Sequence, residues 1–136
     1  MAVDLKFISY NCRGYNKSKD VFIRSLLDQC DLLFIQEHWL SDSQLHLLNF
    51  VCNNFTSVGV SGFGKSDVLS GRRYGGCSIL RRKDITSKIT VIDTGSNRVR
   101  AVLINIAANL NLLRLNVYLP YESSDINTDE FQFQLP

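Results

Sequence analysis

The run "DLLFIQE", Asp31 to Glu37, constrains this chain more than any other stretch. Leu32, Leu33, Phe34 and Ile35 follow one another with no polar interruption. Such a run is too short for a buried helix and reads as a strand covered on both faces, ending on the carboxylate of Glu37. The residues before it have the opposite texture. From Ser18, the pairs Phe22/Ile23 and Leu26/Leu27, then Cys30, recur at helical spacing, which predicts an amphipathic helix of about three turns. Upstream, "LKFISYNC" (Leu5 to Cys12) reads as a strand closed by a turn over Arg13-Gly14-Tyr15-Asn16. A second helix is expected from Ser41 or Asp42, because Leu45, Leu48, Cys52 and Phe55 share one helical face. Strand, helix, strand and helix at this pace indicate an α/β architecture.

After Phe55 the texture is β and loop. "GCSILRR" (Gly76 to Arg82), "KITVID" (Lys88 to Asp93), "RVRAVLINI" (Arg98 to Ile106) and "LLRLNVYLP" (Leu112 to Pro120) are four strand candidates. The turns "DTGSN" and "AANLN" between them predict consecutive hairpins in an antiparallel or mixed sheet. Asn127, with Glu130 three residues on, has the form of a capping box opening a short helix in the acidic tail 121–136. A chain of 136 residues with a core over about 5–120 fits one domain. Hydrophobic residues at 45% and charged residues at 21% exclude a disordered or fibrous class. No apolar run approaches the ~20 residues of a membrane span, and the first residues lack a secretory pattern. Cys12, Cys30, Cys52 and Cys77 stand far apart, with no C-x-x-C. They read as reduced thiols of an intracellular protein, nuclear or cytoplasmic, not as metal ligands.

Charge is unevenly spread. Residues 60–100 hold Lys65, Arg72, Arg73, Arg81, Arg82, Lys83, Lys88, Arg98 and Arg100 against Asp67, Asp84 and Asp93. Residues 120–136 hold Glu122, Asp125, Asp129 and Glu130 with no base. A basic middle suits a polyanion such as nucleic acid, although a solvated strand surface explains it as well. Within it, Gly59, Gly64, Lys65 and Ser66 match the phosphate-loop spacing G-x-x-x-x-G-K-[ST]. A working phosphate loop must open a helix, whose amides receive the phosphates. Here Gly71 and then Gly75-Gly76 stop any such helix within about one turn. The Gly59–Ser66 match is therefore a decoy. Gly59 to Gly76 is better read as a long surface loop with a basic tip.

Asn11, Glu37 and Tyr118 stand at the C-terminal ends of predicted strands, where α/β sheets place ligands. A carboxylate there can hold Mg²⁺, and an amide and a phenol can orient a phosphate. Equally, Asn11 could cap a turn, Glu37 could be ion-paired and Tyr118 could be strand packing. Taken together, "ISYNCRG", "LLFIQEHWL" and "LNVYLPY" resemble the endonuclease/exonuclease/phosphatase superfamily. "HLLNFVCNNF", "SGRRYGGCSIL" and "VIDTGSNRVRAV" look most like the endonuclease domain of LINE-type non-LTR retrotransposon polyproteins. The resemblance covers nearly all of residues 5–133. It implies a two-sheet α/β sandwich with helices outside, and Mg²⁺-dependent hydrolysis of a DNA phosphodiester that primes reverse transcription. It further implies that Glu37 binds the metal, that Asn11 arranges the metal carboxylate and the scissile phosphate, and that Tyr118 contacts the phosphate. His38 is not expected to be catalytic, and His46 reads as half-exposed packing.

The sequence also departs from that family. An Asp-and-Asn motif for the attacking water, a further Asp and a terminal Asp-His pair are expected after Tyr118, yet no His follows His46 and the only later acids lie in the tail. The chain therefore reads as the N-terminal half of the domain, a partial sandwich from a retroelement reading frame. Its missing partners would be the C-terminal half and a reverse transcriptase. Negligible nuclease activity and weak or absent Mg²⁺ binding are the expectation for such a fragment. The absent half is also expected to supply the second sheet, leaving an apolar face uncovered and the chain poorly soluble. The alternative from another class is a non-catalytic nucleic-acid-binding remnant, holding DNA backbone through the loop residues Arg72, Arg73 and Tyr74.

Overall fold

In a computed structural model, residues 4–63 and 74–118 are described. β1 (Phe7–Asn11), α1 (Asp20–Leu27) and β2 (Leu32–Gln36) form a strand–helix–strand unit, the two strands parallel with Phe7 opposite Leu32 and Asn11 opposite Gln36. The helix is shorter than its pattern predicts. Lys17–Lys19 form a 3₁₀ turn instead, capped where the Asn16 side chain accepts from the Ser18 N–H. Ile23 and Leu27 are the buried apolar side chains of α1.

The second expected helix is there, but as 3₁₀ from Asp42 to Phe50. Ser41 and Gln44 close a capping box at its start. Leu45, Leu48 and Val51 all pack into the core, and their spacing of three is the period at which a 3₁₀ helix aligns side chains on one face. Phe55, expected on that helix, instead opens β3 (Phe55–Val60), a strand that is not among the four expected. β3 includes Gly59, so the supposed phosphate loop begins inside a sheet. Lys65, Ser66, Arg72, Arg73 and the predicted C-terminal helix lie outside the described residues.

β4 (Cys77–Arg82) overturns the expectation that the four strand candidates form consecutive hairpins: it pairs antiparallel with both β2 and β3, not with the strand that follows it. A 3₁₀ segment, Lys83–Lys88, carries the chain into a second sheet of β5 (Ile89–Ile92), β6 (Val99–Ala107) and β7 (Leu110–Val117). The sheet orders are β1-β2-β4-β3 and β5-β6-β7, the latter antiparallel throughout. The second sheet is thus built by this chain and does not await an absent half.

Alternation along β2 sorts two cores. Leu33 and Ile35 face α1 and the 3₁₀ segment, with Ile23, Leu27, Leu48, Val51 and Leu80. Leu32 and Phe34 face the second sheet, with Ile79, Ile89, Val102 and Ile104. The result is a two-sheet α/β sandwich with helical segments outside the first sheet. On the second sheet Leu113, Leu115 and Val117 are exposed among the described residues. All four cysteines are free thiols, with Cys12, Cys30 and Cys77 buried.

One polar residue ties the sheets together. Asn116 of β7 is 1% exposed. Its Nδ2 donates to the Ile35 and Ser78 carbonyls, each at 2.9 Å, and its Oδ1 accepts from Gln36 Nε2 at 2.7 Å. Every hydrogen-bonding direction it uses crosses from one sheet to the other.

Candidate active site

Because β1 and β2 are parallel, their carboxyl ends share one end of the sheet, and Asn11 and Glu37 stand there together. Asn11 is exposed, and its Oδ1 accepts from the Arg13 N–H at 3.2 Å, so the turn-capping role is real. Glu37 follows β2 directly and is half-buried. Tyr118 follows β7, where its backbone N–H donates to the Arg98 carbonyl at 2.8 Å. Its phenol lies close enough to the Glu37 carboxylate to feel that group's charge. Burial, with that carboxylate's charge behind it, pushes the phenol pKa above its ordinary value. The Arg98 guanidinium lies 5.8 Å from the Tyr118 ring centroid. The three sequence-derived residues therefore share one region: Glu37 and Tyr118 are neighbours, and Asn11 and Tyr118, but not Glu37, line a cleft of about 680 Å³.

That cleft runs between β1 and β7, where the sandwich is open. Its polar end holds Gln36 and Asn116. Its apolar end holds the Phe7–Phe34 stack, with ring centroids 6.0 Å apart, and the Arg114 guanidinium 4.5 Å from the Phe7 centroid.

The backbone around Glu37 is unusual. Glu37 and Trp39 both have positive φ, 56° and 62°, each costing about 1–3 kcal/mol for a residue with a side chain. Surrounding contacts compensate. The Glu37 carbonyl accepts from the Gly14 N–H and the His38 carbonyl from the Tyr15 N–H, both at 2.8 Å, while the Trp39 N–H donates to the Gly75 carbonyl at 3.0 Å. His38 is completely buried, and its Nδ1 accepts from the Leu40 N–H at 2.9 Å. The Val60 and Cys77 carbonyls approach the ring, yet Nε2 closes no hydrogen bond of normal geometry. Burial lowers the His38 pKa to about 4, against the weaker opposing pull of those carbonyls, so the ring is neutral at pH 7.

Mg²⁺ takes oxygen ligands, keeps several waters, and is commonly held by one or two carboxylates plus substrate phosphate. Glu37 offers a carboxylate oxygen, and Asn11 an amide oxygen, at the same sheet end. Among the described residues no group of three or more His, Cys, Asp or Glu side chains converges. The donor set thus fits a cation resting on a single protein carboxylate and completed by water and phosphate.

Among the described residues, several bases of this stretch are engaged within the fold. Arg82 pairs with Asp31 at 2.5 Å and with Asp84 at 2.8 Å. Arg100 donates to the Gly59 carbonyl, and the Arg81 Nε is buried. Of the proposed DNA-holding loop, only Tyr74 is described, its ring 6.1 Å from that of Phe63. His46 is exposed and stands edge-on to Phe50.

Sequence reasoning singles out neither Asn116 nor Trp39, and assigns His38 no role. Asn116 had a usable signal, a polar side chain at the inward parity of β7 with Leu112. His38 and Trp39 had none, because their partners lie at Gly14 and Gly76, remote in the chain.

Two solved structures are similar in fold. The AP endonuclease LMAP from Leishmania major superposes with a TM-score of 0.64 at 14% identity, over 85% of this chain and 40% of that one. The 3′ phosphatase NExo from Neisseria, solved bound to product DNA hairpin, superposes with a TM-score of 0.51 at 18% identity, over 81% of this chain and 40% of that one. The chain thus spans about 40% of the length of each neighbour. No curated protein sequence matches it. The sequence profile of the endonuclease/exonuclease/phosphatase family, in contrast, matches residues 8–134. With that match over nearly its whole length, and with the family's two-sheet sandwich, the chain belongs to the endonuclease/exonuclease/phosphatase family.

Proposed function

We propose that these residues form the Glu37-bearing part of a Mg²⁺-dependent DNA endonuclease of the LINE-type retrotransposon kind, and that they cut DNA negligibly by themselves. The observation that carries the reading is the closeness of Glu37 and Tyr118 at the sheet end where Asn11 also stands. The DNA-bound 3′ phosphatase and the AP endonuclease among the fold neighbours support DNA as the substrate class. Magnesium, when bound, would polarise the phosphate and stabilise the departing oxygen. Glu37 would hold the cation, the single O–H of Tyr118 would serve either the carboxylate or, once the cation occupies Glu37, the phosphate, and Asn11 would orient the phosphate by hydrogen bonding. Nothing among the described residues supplies a general base beside Glu37, since His38 is buried and turned to Leu40. Without an oriented nucleophile, charge stabilisation alone gives little rate. The sequence outside the described residues contains no further histidine. The domain's remaining catalytic groups and a reverse transcriptase are the partners this reading calls for.

Two measurements test it. Titration with paramagnetic Mn²⁺ should broaden amide signals around Gln36–His38, and Glu37→Ala should abolish that broadening. A plasmid-nicking assay with Mg²⁺ should show no cutting by the 136-residue chain. Robust nicking lost in Glu37→Ala would show the chain to be a competent enzyme, and broadening unaffected by Glu37→Ala would remove Glu37 from the site.

A further inference from the structure

The turn Glu37-His38-Trp39 is gripped from both sides by glycines. On one side, Gly14 (φ 90°) lies against the Trp39 indole so closely that a Cβ there would collide with it. On the other, Gly76 (φ 93°) lies against the His38 imidazole in the same way. Gly14 follows β1 and Gly76 precedes β4, so the turn is wedged between the two strands that flank β2. Within the wedge, the His38 Nδ1 accepts from the N–H two residues ahead, the bond that an Asn side chain makes in an Asx turn. This bond closes over Trp39, the second of the two positive-φ residues, directly after Glu37.

We propose that His38 is a positioning residue for Glu37: its Nδ1 bond to Leu40 and its seat on Gly76 lock the turn so that the carboxylate is presented to Tyr118. This rests on the reading of Glu37 as the site carboxylate. The imidazole touches neither substrate nor cation, and its contribution is to hold the strained turn in one conformation, as active-site supports do.

Two substitutions separate the bond from the ring. His38→Asn keeps an acceptor for the Leu40 N–H but empties the seat on Gly76. His38→Phe fills the seat and removes the acceptor, while also removing the unpartnered Nε2. Two signals report on the turn without metal or DNA. One is the near-UV circular dichroism of Trp39, the chain's single tryptophan. The other is the ring ¹³Cζ shift of Tyr118 at pH 7, assigned by Tyr118→Phe and referenced to Glu37→Gln, which removes the carboxylate charge. The expected result is that His38→Phe loses most of the Trp39 signal and moves the Tyr118 shift as Glu37→Gln does, with little change in unfolding midpoint. His38→Asn should keep both signals while lowering the midpoint. Retention of both signals in His38→Phe, or their loss in a folded His38→Asn, overturns the proposal, as does a wild-type chain without a Trp39 signal. A Tyr118 shift indifferent to Glu37→Gln instead defeats the site reading itself.

Discussion

Asn116→Ala tests how the two sheets are joined. The substitution removes three hydrogen bonds, to Gln36 Nε2 at 2.7 Å and to the Ile35 and Ser78 carbonyls at 2.9 Å. A net worth of about 0.5–1.5 kcal/mol per bond gives a loss of about 2–4 kcal/mol, a large share of the roughly 5–15 kcal/mol of a folded domain. Urea unfolding followed by Trp39 fluorescence should show it. With a slope of about 2 kcal/mol per molar, mid-range for a small protein, the midpoint should fall by about 1–2 M with the slope unchanged. Asn116→Asp sharpens the test, because it preserves size while pointing a carboxylate at two carbonyls, and it should cost at least as much as alanine. Gln36→Ala, which removes one of the three bonds, should cost about 1 kcal/mol. If Asn116→Ala stays within about 0.5 kcal/mol of the parent, or Asn116→Asp is neutral, the sheets are held by apolar packing alone and the bridging assignment is wrong.

Three further outcomes follow from buried groups. Because the His38 pKa falls from 6.5 to about 4 on folding, the unfolded chain binds the extra proton. The stability this contributes is present above about pH 6.5 and is lost as the pH falls through 4, an effect of about 3 kcal/mol. The difference in unfolding free energy between parent and His38→Phe, measured at pH 7 and pH 4.5, should change accordingly, and a pH-independent difference would contradict the burial argument. The Ser78 Oγ is buried without a partner, so Ser78→Ala should be neutral or stabilising by about 1 kcal/mol. Gly59→Ala, whose Cβ would collide with that hydroxyl, should destabilise the chain and be partly rescued by Ser78→Ala in thermal melts. Burial pushes the Cys77 thiol up to about 12 and Cys30 to about 11. Iodoacetamide with mass-spectrometric mapping should therefore label half-buried Cys52 well before either, and rapid Cys77 labelling in the folded chain would refute the placement.

Particular residues show where a sequence speaks and where it falls silent. Leu32–Ile35 announced β2, because four successive apolar side chains can be satisfied only when both faces are covered. The 3₁₀ segment was read as an α-helix because Leu45 and Leu48 fit either period. Val51, a further three residues on at the segment's C-cap, is the clue that separates them. β3 was missed because Thr56, Ser57 and Gly59 carry little apolar signal of their own, and the strand is held by its ladder to β4. The basic stretch suggested a charged surface, yet Arg82 and Arg100 are engaged with acids or carbonyls that only the folded chain brings near.

The sequence by itself determined the α/β class, the strand ends that carry Asn11, Glu37 and Tyr118, and the family to which those motifs point. These depend on local period and on residue type, which a linear chain displays directly. Tertiary structure alone decided that β4 crosses into the first sheet, that Asn116 bridges the two sheets, and that Gly14 and Gly76 enclose the turn bearing Glu37. Each of those results depends on which distant backbone lies within hydrogen-bonding or contact distance of a side chain, and that follows from how the strands pair, not from the composition of any one segment.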